Sequence, residues 1–228
     1  MRFKDVFSII GPSMVGPSSS HTAGAVRIGR AARRIFGAFP ERVEIVFYGS
    51  FAETYLGHGT DLAVVGGLMD FATDDIRIRD SIELAEKAGM ALTFKTGQNV
   101  AYHPNTVMLK LKDQEGREDV IVGASIGGGN VEILGVNGFD VKFTMNYPAL
   151  IVFHKDTRGM VAHITRILDS GGVNIGYMDL DRKGRGGEAV TVLETDEAVP
   201  QNLIEHIRGL DNVHRVVFAD ITSEEVSE

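Results

Sequence analysis

Asn146-Tyr147-Pro148-Ala149-Leu150-Ile151-Val152-Phe153-His154 marks a change of plan in the chain. The proline removes a backbone donor and biases Tyr147 toward extended backbone, so one pattern ends there. The apolar run after it reads as a new strand, Ala149 to His154. Asp156-Thr157-Arg158-Gly159 follows as a turn, and Met160 to Asp169 as a helix with Val161, Ile164, Ile167 and Leu168 inward. Gly171-Gly172 ends that helix. Strands over Val173–Leu180 and Glu188–Glu194 flank a hairpin at Arg182 to Gly187. Pro200 starts a second helix around Leu203, Ile204 and Ile207, and Val213 to Ala219 closes the set as a strand. The order βαββαβ predicts a ferredoxin-like unit over 148–222, with an acidic tail at 223–228.

Back from the proline, residues 1–146 read as a mixed α+β region. A short apolar opening, Val6 to Ile10, precedes the loop Gly16-Pro17-Ser18-Ser19-Ser20-His21-Thr22. The loop runs into a helix whose buried stripe is Gly24, Ile28, Ala31, Ala32, Ile35 and Phe36, with Ser19 or Ser20 as cap and Gly37 as stop. Arg27, Arg30, Arg33 and Arg34 read as a solvated flank near the negative end of the helix dipole. Val43 to Tyr48 alternates as a strand. Ser50-Phe51-Ala52-Glu53 has capping-box spacing and opens a short helix that Gly57 closes. Gly57-His58-Gly59-Thr60-Asp61 then leads into a helix to about Asp70, with Thr60 as its cap. A helix over Ser81–Gly89 and strands over Ala91–Lys95, Asn105–Lys112 and Asp119–Ile126 come next, the last two joined through Asp113-Gln114-Glu115-Gly116. Val131 to Phe143 adds one or two more strands.

Composition narrows the functional classes. In 228 residues, 43% are hydrophobic and 24% charged, the balance of a soluble globular protein of one large or two modest domains. A net charge of -8 argues against a nucleic-acid or anionic-membrane binder. No apolar run has transmembrane length, and Met1-Arg2-Phe3-Lys4-Asp5 is not followed by a signal-peptide core, so a cytoplasmic protein is expected. With no cysteine, the chain holds no disulfide, no zinc–thiolate site and no iron–sulfur cluster of its own. No metal ligand set is expected from its other residues.

Two constellations carry candidate chemistry. His21 lies on the buried stripe of the first helix, one turn below Gly24, so it points toward a pocket mouth; free N–H groups at that helix start suit a carboxylate. His58 stands between two glycines, which leave room for a ligand, and Asp61 could orient its ring or complement the next helix dipole. Serine runs before helices also serve simply as caps, and a lone histidine there is often structural. Spacing alone leaves both readings open.

Gly11-Pro12-Ser13, Gly16 to Gly24, Gly57-His58-Gly59-Thr60-Asp61 and Ser125-Ile126-Gly127-Gly128-Gly129 together resemble the β-subunit of bacterial iron–sulfur-dependent L-serine dehydratases (L-serine ammonia-lyases). The resemblance spans nearly the whole chain, and its first two motifs are long and specific. It implies an allosteric-substrate-binding-type domain over 1–146, similar to one in some phosphoglycerate dehydrogenases, and an ACT domain over 148–222. It implies deamination of L-serine to pyruvate and ammonia, with the [4Fe-4S] cluster on a cysteine-containing α-subunit. This chain alone is then inactive, and a homodimer through the ACT domain, the N-terminal domain or both is expected.

On that resemblance His21 and His58 are the catalytic candidates, since proton transfer at the substrate Cα needs a group titrating near neutrality. Ser18, Ser19, Ser20, Thr22, Thr60, Asp61, His103, Asn105, Gly127 and Gly128 are the substrate-binding candidates. Asp156, Thr157, Gly159 and Met160, facing Asn174 and Ile175 where two copies meet, are the candidates for an allosteric amino acid; the alternative is a unit that only dimerises. His154, His163, His206 and His214 read as structural or surface residues. Two rivals stand: a sensor without chemistry, and a Ser/His hydrolase on Ser19 or Ser20 with His21. The second lacks a nucleophile-elbow pattern and a distant histidine.

Overall fold

The computed structural model describes residues 13–98 and 103–222. The Val6–Ile10 opening, Gly11-Pro12 and the acidic tail lie outside the described residues. The chain divides into two compact units, Met1–Asn137 and Gly138–Glu228.

In the first unit a five-residue π-turn, Ser19–Ala23, leads into α1 (Gly24–Phe36), which Gly37 ends in the left-handed conformation. Then come β1 (Arg42–Tyr48), α2 (Gly49–His58), α3 (Thr60–Leu68), a 3₁₀ turn, α4 (Ser81–Lys87) and the strands β2 (Ala91–Thr96), β3 (Asn105–Lys112), β4 (Glu118–Gly127) and β5 (Asn130–Val136). The sheet order is β2-β1-β3-β4-β5, with β1 and β2 parallel and the other pairs antiparallel. Alternation gives the sheet one apolar face. Val43, Ile45 and Phe47 pair with Leu111, Leu109 and Val107, and all six are buried. The intervening positions carry Glu44, which takes ion pairs from Lys95 and Lys110. α1 packs on β4 and β5, and α3 packs on α1.

Several local expectations are corrected. The cap of the first helical turn is Ser18, whose Oγ accepts the His21 N–H at 3.2 Å, rather than Ser19 or Ser20. The wider π-turn moves the chain's entry into the helix one residue upstream. The capping box at Ser50–Glu53 does not form: α2 begins at Gly49 with no side-chain cap and runs past Gly57 to end at Gly59. Thr60 does not cap α3 either; that position belongs to Gly59, in the left-handed region. Arg27 and Arg30 are buried rather than solvated. Arg27 Nη1 donates to the Gly129 carbonyl, and Arg30 and Arg34 both reach Asp70, which follows α3 at a φ of 63°.

The second unit contains β6 (Ala149–Lys155), α5 (Met160–Ser170), β7 (Ile175–Arg182), β8 (Glu188–Thr195), α6 (Gln201–Arg208) and β9 (Val213–Ala219). Its fully antiparallel order β7-β8-β6-β9 is the ferredoxin-like arrangement read from the sequence. Leu150, Val152 and Leu193 face α5 and α6, burying Ile164, Leu168, Leu203 and Ile207 with them. The segment 138–147 belongs to this unit, so the division falls at Asn137 and not at Asn146. Register shows why. Asp181, Asp179 and Glu194 project from the sheet face opposite the helices, and their carboxylates accept the N–H groups of Asp140, Lys142, Thr144 and Met145. Phe139, Val141, Phe143 and Met145 are buried beneath that strap. Only β5 forms from the stretch expected to give one or two strands.

Candidate functional site

The site grows from the π-turn. Ser18 is extended, and from Ser19 the chain winds, with the Gly24 N–H closing onto the Ser19 carbonyl. This turns the His21 ring toward α2. There Nε2 lies 3.2 Å from Ser50 Oγ, while Nδ1 lies 3.4 Å from Ser18 Oγ. His58, at the last position of α2, brings its ring centroid to 5.0 Å from that of His21, tilted by 39°. Phe51 packs edge-on to His21 at 5.3 Å. Burial, and secondarily the charge of His58, hold the His21 pKa below the usual histidine value of 6.5. His58 is exposed and makes no hydrogen bond with any described residue.

The sequence marks Ser50 only as the first residue of a capping box and not as a site residue. The backbone that delivers it is specialised. Gly49 has a φ of 53° and bridges to Asn105, and a Cβ there would stand 2.5 Å from the Pro104 carbonyl oxygen. Asn105 is thus carried to the start of α2, while His103 is turned inward: its Nδ1 accepts the Asn105 N–H at 3.2 Å.

Ser19 and Ser20 are half-buried in the π-turn, and Thr22 is buried. The hydroxyls of Thr22, Thr60 and Ser125 are buried with no hydrogen-bond partner among the described residues. All three lie where the π-turn, α1, α3 and β4 meet; α1 starts so close to β4 that a Cβ on Gly24 would be 2.2 Å from Ser125 Oγ. Unmet hydroxyls in such a place are costly unless something binds them. Gly127 and Gly128 form the β4–β5 turn at the same end, and Asn130 donates across it to the Gly127 carbonyl. Asp61 does not orient His58. Its carboxylate accepts the Leu62 N–H at 2.9 Å, and burial pushes its pKa up against that bond.

In the second unit Asp156 is engaged: its carboxylate accepts Gly186 N–H at 3.0 Å and Arg182 Nη1 at 2.8 Å, bonds that lower its pKa. Thr157 is half-buried in the turn before Gly159, which caps α5 at a φ of 89°; Met160 is buried in the core. Asn174 donates to Asp196. Ile175 pairs with Thr195, at the opposite end of β7 from Arg182, so a single copy does not bring Asn174 and Ile175 to the 156–160 loop. His154 is structural, as expected, bonded to Thr191 Oγ1 and the Lys155 carbonyl.

Among the described residues no group of three or more His, Asp or Glu could hold a metal, and no helix is long and apolar enough to cross a membrane. One pocket of about 520 Å³ lies beside Phe39 and another of about 410 Å³ between α5 and α6, the second lined by His163 and His206; neither is lined by His21 or His58.

Residues 3–90 match the family "Serine dehydratase beta chain", and residues 149–212 match the ACT domain. The chain is 45% identical over 216 residues to a probable L-serine dehydratase beta chain of Bacillus subtilis, covering 95% of this chain and 98% of that one. It is 35% identical to an L-serine dehydratase beta chain of Peptoniphilus asaccharolyticus, over 94% of this chain and 97% of that one. A D-3-phosphoglycerate dehydrogenase of Methanocaldococcus jannaschii is 26% identical over 86% of this chain, a span that makes up 37% of that enzyme.

Proposed function

The chain belongs to the serine dehydratase beta-chain family, and on that premise we propose that it forms, with a cysteine-bearing partner chain in the cytoplasm, an L-serine dehydratase producing pyruvate and ammonia. The observation that carries the reading is the His21–His58 ring pair at 5.0 Å beside a helix start rich in hydroxyls. The dehydration removes the substrate Cα proton and expels the hydroxyl as water; the enamine left behind tautomerises and hydrolyses. With no cysteine and no metal-ligating cluster among its described residues, this chain does not fit an iron–sulfur cluster, which the reading assigns to the partner.

The free ring makes His58 the proton acceptor: its nitrogens have no hydrogen-bond partner among the described residues and are open to substrate. His21, with a hydroxyl near each nitrogen and a lowered pKa, stays neutral and hydrogen-bonding. Two adjacent imidazolium charges would repel, so the pair accepts one proton more readily than two. Ser19 and Ser20, through their hydroxyls and their own N–H groups, bind the substrate carboxylate at the positive end of the helix start. Thr22, Thr60 and Ser125 supply unmet hydroxyls to the same end. Asn105 and the Gly127–Gly128 turn border the space.

The test is anaerobic co-expression of the tagged chain with its partner, followed by iron analysis and a serine-to-pyruvate assay. His58→Ala should cost about 100-fold or more in kcat, the scale of a lost general base. His21→Ala should cost somewhat less. Wild-type turnover in both would remove the catalytic assignment. For the ACT unit, the reading is serine binding between two copies, since one copy separates the two halves of the ligand set. Calorimetry of the full chain with serine tests it, and no heat leaves assembly as the role of that unit.

A further inference from the structure

We propose that Ser50 is a positioning residue for the dehydration, holding His21 by a hydrogen bond to its Nε2. The inference rests on the catalytic reading of the histidine pair and adds to it a residue that the sequence marks only as a helix-cap position.

The argument is one of destination. A serine in the first turn of a helix ordinarily spends its hydroxyl on the helix's own free amides. Ser50 does not: α2 has no side-chain cap, and the Thr54 hydroxyl donates to the Ser50 carbonyl. The hydrogen-bond partner of the Ser50 hydroxyl among the described residues is His21. The delivery is built for it. Gly49 adopts a backbone open to few other residues, and the Pro104 carbonyl leaves no room for a side chain there. Ser18 holds the other nitrogen from the π-turn, and Phe51 closes one edge of the ring. Among the described residues the groups seen against His21 are Ser18, Ser50, Phe51 and His58, of which His58 is the ionisable one. The bond to Ser50 restrains rotation about the His21 side chain, which Ser18 alone leaves free to swing. It also strengthens when the ring is charged, because an imidazolium donor binds a hydroxyl oxygen more tightly than a neutral ring does.

Three variants of the co-expressed complex test this: Ser50→Ala, Ser50→Thr and His21→Ala. Ser50→Ala should lower kcat by about 5-fold, the worth of one hydrogen bond between neutral groups, while KM for serine stays within about twofold. Ser50→Thr keeps the hydroxyl and should recover most of the rate. A second readout is independent of turnover: NMR titration of the histidine rings in the full chain. Loss of the hydroxyl should move the His21 midpoint further down, and threonine should restore it. If Ser50→Ala leaves both the His21 titration and kcat at wild-type values, or if threonine behaves as alanine does in both, the proposal is overturned. If His21→Ala alone proves fully active, the catalytic reading fails instead; the titration then still reports whether Ser50 holds the ring.

Discussion

Replacing Gly67 by alanine tests how the candidate site is held. α1 and α3 cross with backbone against backbone: a Cβ on Gly67 would stand 2.0 Å from the Val26 carbonyl oxygen and 2.7 Å from the Arg30 nitrogen. The contact is reciprocal, since a Cβ on Gly29 would lie 2.2 Å from the Val64 carbonyl oxygen. Ordinary contact begins near 3.4 Å, so the helices must part by about 1.4 Å at the crossing. No side-chain rotation relieves a clash with main-chain atoms. Separation on that scale forfeits at least a quarter to a half of the local dispersion energy, and overpacking of this kind costs about 3 kcal/mol. Alanine returns about 1 kcal/mol of helix propensity, leaving a net loss of about 2 kcal/mol. The matching control is Gly57→Ala, inside α2, where a Cβ meets nothing within 4 Å. That change should stabilise by about 0.5–1 kcal/mol. Urea unfolding of the full chain measures both. Because α1 issues from the turn that carries His21, Gly67→Ala should also lower turnover in the complex at a temperature where the chain remains folded. A Gly67→Ala chain within about 0.5 kcal/mol of wild type would refute the close-crossing argument, for the clash would then have been absorbed without cost.

Other expectations follow from the same contacts. Glu194 is buried and its Oε1 takes two backbone amides and the Thr144 hydroxyl, so Glu194→Ala should cost about 3 kcal/mol and Glu194→Gln, which keeps an acceptor, about 1 kcal/mol by urea unfolding. Equal effects would show that the strap is held by its apolar side chains alone. The lowered pKa of His21 means that the folded state favours the neutral ring, while the unfolded chain binds the proton more readily. Its contribution is therefore present above pH 6.5 and is lost as pH falls through the lower folded value; Asp61, raised by burial, works in the opposite sense, its contribution fading as pH rises through its folded value. Replacing His21 by alanine should flatten the acid-side decline in unfolding free energy, and an unchanged slope would count against the shift. Leu56, beside His58 on α2, is 74% exposed. If the partner covers this exposed side chain, Leu56→Asp should leave the stability of the chain unchanged while reducing recovery of the partner on co-purification, and full recovery would show that Leu56 does not touch the partner.

What the sequence disclosed and what it hid separate along one line. Elements whose signal is local were legible: the apolar stripe of α1, the left-handed stop at Gly37, and the six elements of the ferredoxin-like unit all appear where periodicity puts them. The misreadings concern polar groups and extended segments whose partners lie far along the chain. Phe139, Val141, Phe143 and Met145 alternate as a strand should, but no strand forms there, and the amides of Asp140, Lys142, Thr144 and Met145 go to carboxylates on β7 and β8. Pro148 signals a local break that comes after the strap instead of before it. Arg30 shares a helix with the half-buried Arg33 and Arg34, and Asp70, which it meets, enters only through the fold of α3. Ser50 carries the same lesson into the site. Its spacing to Glu53 satisfies a local rule, and the fold overrides that rule because His21 offers the hydroxyl a partner from another element. Where a strong local pattern goes unused, the side chain released from it is the place to look for function. The Ser50 variants put that argument to the test, since a serine that merely capped α2 would leave the His21 titration where it was.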